Sequence, residues 1–134
     1  MSSPWRWANQ TIIFLTNMPH IILEHSDNLL DQVNYKKLFS DLHILLNKVI
    51  NVPISAIKTR QYISQNHFIA DGNENNIFIH LQISLLSGRE HEKLESCADL
   101  AKQKLHDFFP KTTAKSPQSF SVEIREMEPK LYRK

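Results

Sequence analysis

The sequence predicts an α+β domain made of two strand–helix–strand units, with four strands in one sheet and two helices on one of its faces. Three observations carry that reading. From Ile77 to Leu85, isoleucine or leucine holds every odd position, the period of two expected of a strand with one strongly apolar face. Two longer stretches, 38–50 and 94–108, repeat apolar residues at spacings of three and four, as helices with one buried stripe do. The order strand, helix, strand also occurs twice, with Ile21-Ile22-Leu23-Glu24-His25-Ser26 weakly similar to Ile79-His80-Leu81-Gln82-Ile83-Ser84. Helices on one face leave the other face of the sheet uncovered. Phe78, His80 and Gln82 fall there, so association with further copies of the chain is expected.

Each element has a local reason. Residues 19–25 form a first apolar strand and lead into Ser26-Asp27-Asn28, which offer helix-capping chemistry. The first helix presents Leu38, Phe39, Leu42, Leu45, Leu46, Val49 and Ile50 on one side. It is expected to stop near Asn51-Val52-Pro53, because the residue before a proline avoids helical angles. Residues 54–63 read as extended, and Ala70-Asp71-Gly72-Asn73 as a turn. After the central strand, Ser87-Gly88-Arg89-Glu90 matches a capping box and predicts a helix with Arg89 in its first turn. That helix buries Leu94, Cys97, Ala98, Ala101, Leu105 and Phe108, and Pro110 ends it. Phe120, Val122 and Ile124 alternate in a last strand, followed by a short tail at 128–132.

At 134 residues the chain suits one domain. An apolar fraction of 41% with 22% charged residues is ordinary for a soluble globular protein, and only two glycines favour long regular elements. The single cysteine, Cys97, excludes a disulfide framework and fits a reducing cytosol. A net charge of +2 is not the basic footprint of a nucleic-acid binder. An RNA-binding sheet of the same element order would also want exposed aromatics in a Lys/Arg-Gly-Phe/Tyr-type motif, and only Phe78 is present. His91-Glu92 lacks the second histidine of a zinc motif, while His20 and His25 lie five apart on a strand and face opposite sides. No metal site is expected. No run approaches the ~20 apolar residues of a membrane span. The apolar run from Ile12 to Leu15 is shorter than the ~7–15 residues of a secretory signal. These readings place the protein in the cytoplasm, without membrane or nucleic-acid partners.

Met18-Pro19 is the dipeptide on which the chemistry turns. Initiator methionine is removed readily when the next residue is small. A start at Met18 would leave Pro19 with a free secondary amine, a base that no internal residue supplies. Residues 1–18 are therefore read as an N-terminal extension absent from the working protein, and residues 19–134 as its single domain. With the extension attached, the Pro19 nitrogen is a tertiary amide with no proton to give.

Met18-Pro-His-Ile-Ile-Leu-Glu-His-Ser-Asp-Asn28 resembles the amino terminus of the 5-carboxymethyl-2-hydroxymuconate isomerases, members of the tautomerase superfamily. Ala70-Asp71-Gly72, the strand with His80, Ser87-Gly88-Arg89 and Ser121-Val-Glu-Ile-Arg-Glu-Met-Glu-Pro129 look like the same family, in the same order. The resemblance runs from Pro19 nearly to the C-terminus and leaves out residues 1–17. It implies a tautomerase-type fold assembled as a trimer, which would cover the open sheet face. It also implies a cofactor-free isomerisation of a carboxylated dienol in aromatic-compound catabolism, with the terminal proline carrying the proton and arginines holding the carboxylates. Carried onto this chain, the base is Pro19 and one clamp is Arg89. Where the family commonly reads Ile-Arg-x-Arg, this chain has Ile57-Lys58-Thr59-Arg60, so Lys58 and Arg60 complete the clamp. Lysine keeps the charge but loses the two-pronged hydrogen bonding of arginine, which puts the substrate preference in question. An inactive trimeric binding protein of the same fold is the alternative should residues 1–18 be retained.

The chemistry explains why such residues belong together. Moving a proton between carbons of an enol needs one group that both accepts and donates near neutral pH. Burial and nearby cations disfavour a charged amine and bring a prolyl nitrogen toward that range. The same cations attract a polyanion and stabilise charge on an enolate oxygen. In the first turn of a helix, Arg89 would be helped by exposed backbone N–H groups.

Overall fold

The computed structural model describes residues 19–133. Strand β1 (His20–Ser26), helix α1 (Tyr35–Ile50), β2 (Lys58–Ser64), β3 (Ile79–Leu86), α2 (His91–Phe108), the short α3 (Pro110–Lys115) and β4 (Phe120–Met127) follow one another along the chain. The four strands form one sheet in the order β2-β1-β3-β4. β1 with β2, and β3 with β4, are parallel pairs, while the central β1–β3 pair is antiparallel. Both predicted strand–helix–strand units are present, turned head to tail against each other at the centre of the sheet.

Period-two patterning decides which face is buried. Ile21 and Leu23 of β1 meet Ile83 and Leu81 of β3 in register, and all four are fully buried. The helices cover this face side by side, α1 with Leu38, Leu42, Leu46 and Ile50, α2 with Leu94, Cys97, Ala101 and Leu105. Burying a leucine- or isoleucine-sized side chain contributes roughly 1.5–3 kcal/mol, so this layer dominates the stability of the fold. Ala98 and Phe108, expected in the core, are only half-buried at the rim of the stripe. Cys97 is a core residue, and burial pushes its thiol up to about 11, which makes it unreactive.

The helix starts differ from the sequence reading, and the reason is the same in both cases. α1 begins at Tyr35, capped by Asn34, whose side chain accepts from the Lys37 N–H at 3.1 Å. Ser26 caps nothing. Its N–H donates to the Phe78 carbonyl and its hydroxyl accepts from the Phe78 N–H. α2 begins at His91 after Glu90, with no side-chain cap. Ser87 is again occupied, its N–H donating to the Met127 carbonyl as a continuation of the β3–β4 ladder. Each serine closes a strand instead of opening a helix.

The segment after β1 is fastened to the other half. The Asp31 carboxylate accepts from the Lys111 and Thr112 N–H groups and from the Thr112 hydroxyl. Behind it, His25 is buried, its Nδ1 donating to the Ser26 carbonyl and its Nε2 accepting from Gln61, with Tyr35 stacked on the ring. The predicted turn is present at Ala70–Asp71, and Gly72 follows at a φ of +83°. Among the described residues no helix is long and apolar enough to cross a membrane.

Candidate active site

Pro19 is buried immediately before β1, at the sheet end where β1 and β2 begin and β3 finishes. Its carbonyl accepts the Lys58 N–H at 3.2 Å. Since His20 pairs with Ser84, continuing the antiparallel register sets Pro19 opposite Leu85. A proline is tolerated here because the ladder asks for no N–H at this position. Met18 and the residues before it, on which the assignment of a free terminus falls, lie outside the described residues.

Parallel pairing puts His20 beside Lys58 and Ile22 beside Arg60. Register partners point to the same side of a sheet, so Lys58, Arg60 and His20 share the face turned away from the helices. Both cations are exposed. Arg60 Nη1 donates to His20 Nδ1 at 3.0 Å, and His20 Nε2 lies 3.2 Å from the Tyr132 hydroxyl. Burial, then the charges of Arg60 and Lys58, hold the His20 imidazole below its usual 6.5. Its neutral form therefore dominates at pH 7.

Arg89 reaches the same sheet end from the core side. Its Nε donates to the Ile50 carbonyl in the last turn of α1, and its Nη1 to the Leu86 carbonyl, both at 3.3 Å. Gly88, at a φ of +122°, turns the chain so that this side chain folds back. Arg89 precedes α2 and is not in its first turn, which corrects the expectation from the capping box. The helix end it touches is the C-terminal end of α1, where a cation complements the dipole. Its guanidinium is therefore met by the Ile50 carbonyl and not by the N-terminal backbone N–H groups of α2. Burial lowers the Arg89 guanidinium from its ordinary value, yet arginine stays charged at any ordinary pH. A cleft of about 220 Å³ opens between the ends of α1 and β3, lined by Asn51, Gly88, Arg89 and Lys93 among others.

The structure thus gathers Pro19, Lys58 and Arg60 on two neighbouring strand starts and brings Arg89 to the adjoining strand end. Sequence reasoning missed His20 and Tyr132 as members of the cluster. Forty residues separate His20 from Arg60, and 112 separate it from Tyr132, so no local spacing signals the contact. Among the described residues no group of three or more His, Cys, Asp or Glu side chains could hold a metal ion.

A four-stranded mixed sheet covered by two helices, with a proline leading its central strand, defines a tautomerase-type fold. The profile of the 5-carboxymethyl-2-hydroxymuconate isomerases matches residues 19–134, and the chain belongs to that family of isomerases. It is 25% identical over 114 residues to the 5-carboxymethyl-2-hydroxymuconate Delta-isomerase of Escherichia coli, covering 85% of this chain and 90% of the relative. It superimposes on the crystal structure of a 5-carboxymethyl-2-hydroxymuconate isomerase from Deinococcus radiodurans R1 with a TM-score of 0.77 and 28% identity, over 91% of this chain and 92% of the other. A fused 4-OT, described as a symmetric trimer, shares the fold at a TM-score of 0.63 and 13% identity, covering 81% and 85% of the two chains.

Proposed function

We propose that the protein is a cofactor-independent isomerase that moves a proton within a carboxylated dienol of the 5-carboxymethyl-2-hydroxymuconate type, with Pro19 as general acid and base. The observation that carries this reading is the placement of Lys58 and Arg60 on the strand start whose backbone is bonded to Pro19. In the working protein residues 1–18 are removed or never made, and residues 19–134 form the domain. The secondary amine of Pro19 takes a proton from one position of the dienol. The double bonds shift, and the same nitrogen returns a proton at another position, so no atom or electron is gained or lost. Lys58, Arg60 and Arg89 bind the carboxylates and steady the charge that develops on the enolate oxygen. Lys58 offers a point charge in place of a fork, so the preferred carboxylate geometry differs from that of an arginine site.

Three further features belong to this reading. The exposed sheet face, with Ile22, Tyr62 and Gln82 among its charges, is covered by two more copies in a trimer, as the symmetric trimer of the related fold supports. The place of action is the cytoplasm, and the role is a step in aromatic-compound breakdown. Intact-mass measurement of the natively expressed protein, fraction by fraction against isomerase activity, tests the proposal. Activity is expected in the species that begins at Pro19. Activity residing in a species that begins at Met1 overturns Pro19 as the base and leaves a protein of this fold that binds without turning over.

A further inference from the structure

The geometry points to His20 as a positioning residue for Arg60, with Tyr132 locking its ring, so that the clamp is pre-set and tied to the C-terminal segment. This rests on the proposed clamp role of Arg60. The protonation pattern follows from the inventory of donors. A guanidinium has N–H groups and no acceptor, so the 3.0 Å contact from Arg60 Nη1 requires a lone pair on His20 Nδ1. A neutral imidazole with that lone pair carries its proton on Nε2, which donates to the Tyr132 hydroxyl at 3.2 Å. The three side chains form one directed chain of donors from the edge strand β2, across β1, to the tail.

Such a chain matters because Arg60 is exposed on an edge strand. A free arginine side chain has about 2 kcal/mol of rotamer entropy to lose when it grips a ligand. Held through one Nη, it has lost part of that freedom before the ligand arrives, and its remaining N–H groups can still meet a carboxylate. Tyr132 follows the 3-10 turn Pro129–Leu131, in which the Glu128 side chain accepts the Lys130 N–H. That turn brings the tail back over the start of β1.

The arrangement works only while His20 is neutral. A proton on Nδ1 would set two donors face to face and add a third positive charge beside Lys58 and Arg60. Among the described residues, the groups around the ring offer that proton no counter-charge. Lys58 and Arg60 stand on β2, Ser84 lies opposite on β3 with Arg125 beyond it on β4, and Tyr132 comes from the tail. Glu24 lies four residues further along the same face of β1, in register with His80 of β3 and Tyr62 of β2. Burial and the two cations lower the imidazole's affinity for protons in keeping with this.

The test uses the purified full domain and a carboxylated dienol substrate, with His20→Leu, His20→Asn and Tyr132→Phe. Removing a charge-assisted hydrogen bond that orders Arg60 is expected to raise KM about tenfold in His20→Leu, with kcat nearly unchanged. His20→Asn, which puts an acceptor where Nδ1 stood, is expected to restore most of the loss. In the parent KM is expected to rise as pH falls through the His20 titration, and in His20→Asn that acid limb is expected to vanish. Nitrogen-15 spectra of the imidazole, which need no substrate, should show the Nε2–H tautomer, and Tyr132→Phe should shift the Nε2 signal. An unchanged KM in His20→Leu, or an Nδ1–H tautomer, overturns the inference. If Pro19→Ala stays fully active while His20→Leu still raises KM, the proposed base falls and the positioning role stands.

Discussion

The two halves of this molecule share a scaffold and differ in charge. In each, a strand carries a histidine near its start on the uncovered face, a helix crosses the opposite face, and a second strand returns in parallel. His20 and Ile22 of β1 stand beside Lys58 and Arg60, whereas His80 and Gln82 on the same face of β3 stand beside Ser121 and Glu123. One imidazole accepts from a guanidinium. The other shares a 2.6 Å hydrogen bond with the Ser121 hydroxyl and lies 3.8 Å from the Glu123 carboxylate. The residue before the first strand is Pro19, and the one before the second is Phe78. Duplicate architecture thus sets two cations beside β1 and a serine and a carboxylate beside β3, so the halves differ in a few side chains and not in scaffold.

The largest expected effect tests that asymmetry directly. In protein begun at Met18, Pro19→Ala replaces the secondary amine and is expected to reduce isomerase turnover by about 10²–10⁴, the usual worth of a general acid–base group. Phe78→Ala, at the residue just before β3, is expected to leave turnover where it is. Steady-state kinetics on both variants decides the matter. Equal losses would mean that Pro19 acts only as a strand opener.

The scaffold should behave in the opposite, symmetric manner. Leu23 and Leu81 are register partners on the two central strands and neither is exposed to solvent. Truncating either to alanine is expected to cost about 2–5 kcal/mol in denaturant unfolding, with similar values for the two. Because the side chains touch one shared core, the double variant should depart from additivity. A large difference between the single variants, or strict additivity, would divide the core into two independent layers.

How much of this was legible in the sequence follows the same division. The period-two run from Ile77 to Leu85 and the two helical stripes depend on burial of one face, which is written locally, and the structure has them. Ser26 and Ser87 misled because capping chemistry is ambiguous when a distant backbone competes for the same serine. Phe78 and Met127 won that competition, and no spacing rule contains them. Pro19, Lys58, Arg60 and Arg89 were legible as candidates through the family resemblance. The direction in which Arg89 points was not, since it depends on the Ile50 and Leu86 carbonyls that folding brings to it. The link from Arg60 through His20 to Tyr132 exists only once both ends of the chain meet at one sheet end.

The smallest expected effect is a pH dependence that enters through the first half. His20 and His43 both lie below their usual 6.5 in the folded protein. For His43 the cause is burial against β2, where its Nε2 shares a 2.7 Å hydrogen bond with the Thr59 hydroxyl. A histidine whose folded value is depressed binds fewer protons folded than unfolded, so stability rises with pH across that interval. The contribution is complete above 6.5 and is lost as the pH falls through the folded values. Asp31 adds a separate, lower window. Burial pushes its carboxyl up, but hydrogen bonds from Thr112 and Lys111 outweigh that and hold it below 3.8, so its tie between the halves is lost only in stronger acid. Thermal melts are therefore expected to show Tm falling in a first step below 6.5 and a second below 3.8. His43→Gln should flatten the first step and leave the second, and Asp31→Asn should do the reverse. In the second half, His80 stands beside the Glu123 carboxylate and His91 beside that of Glu126. If His80→Gln flattened it and His43→Gln did not, the acid-sensitive half would be the other one.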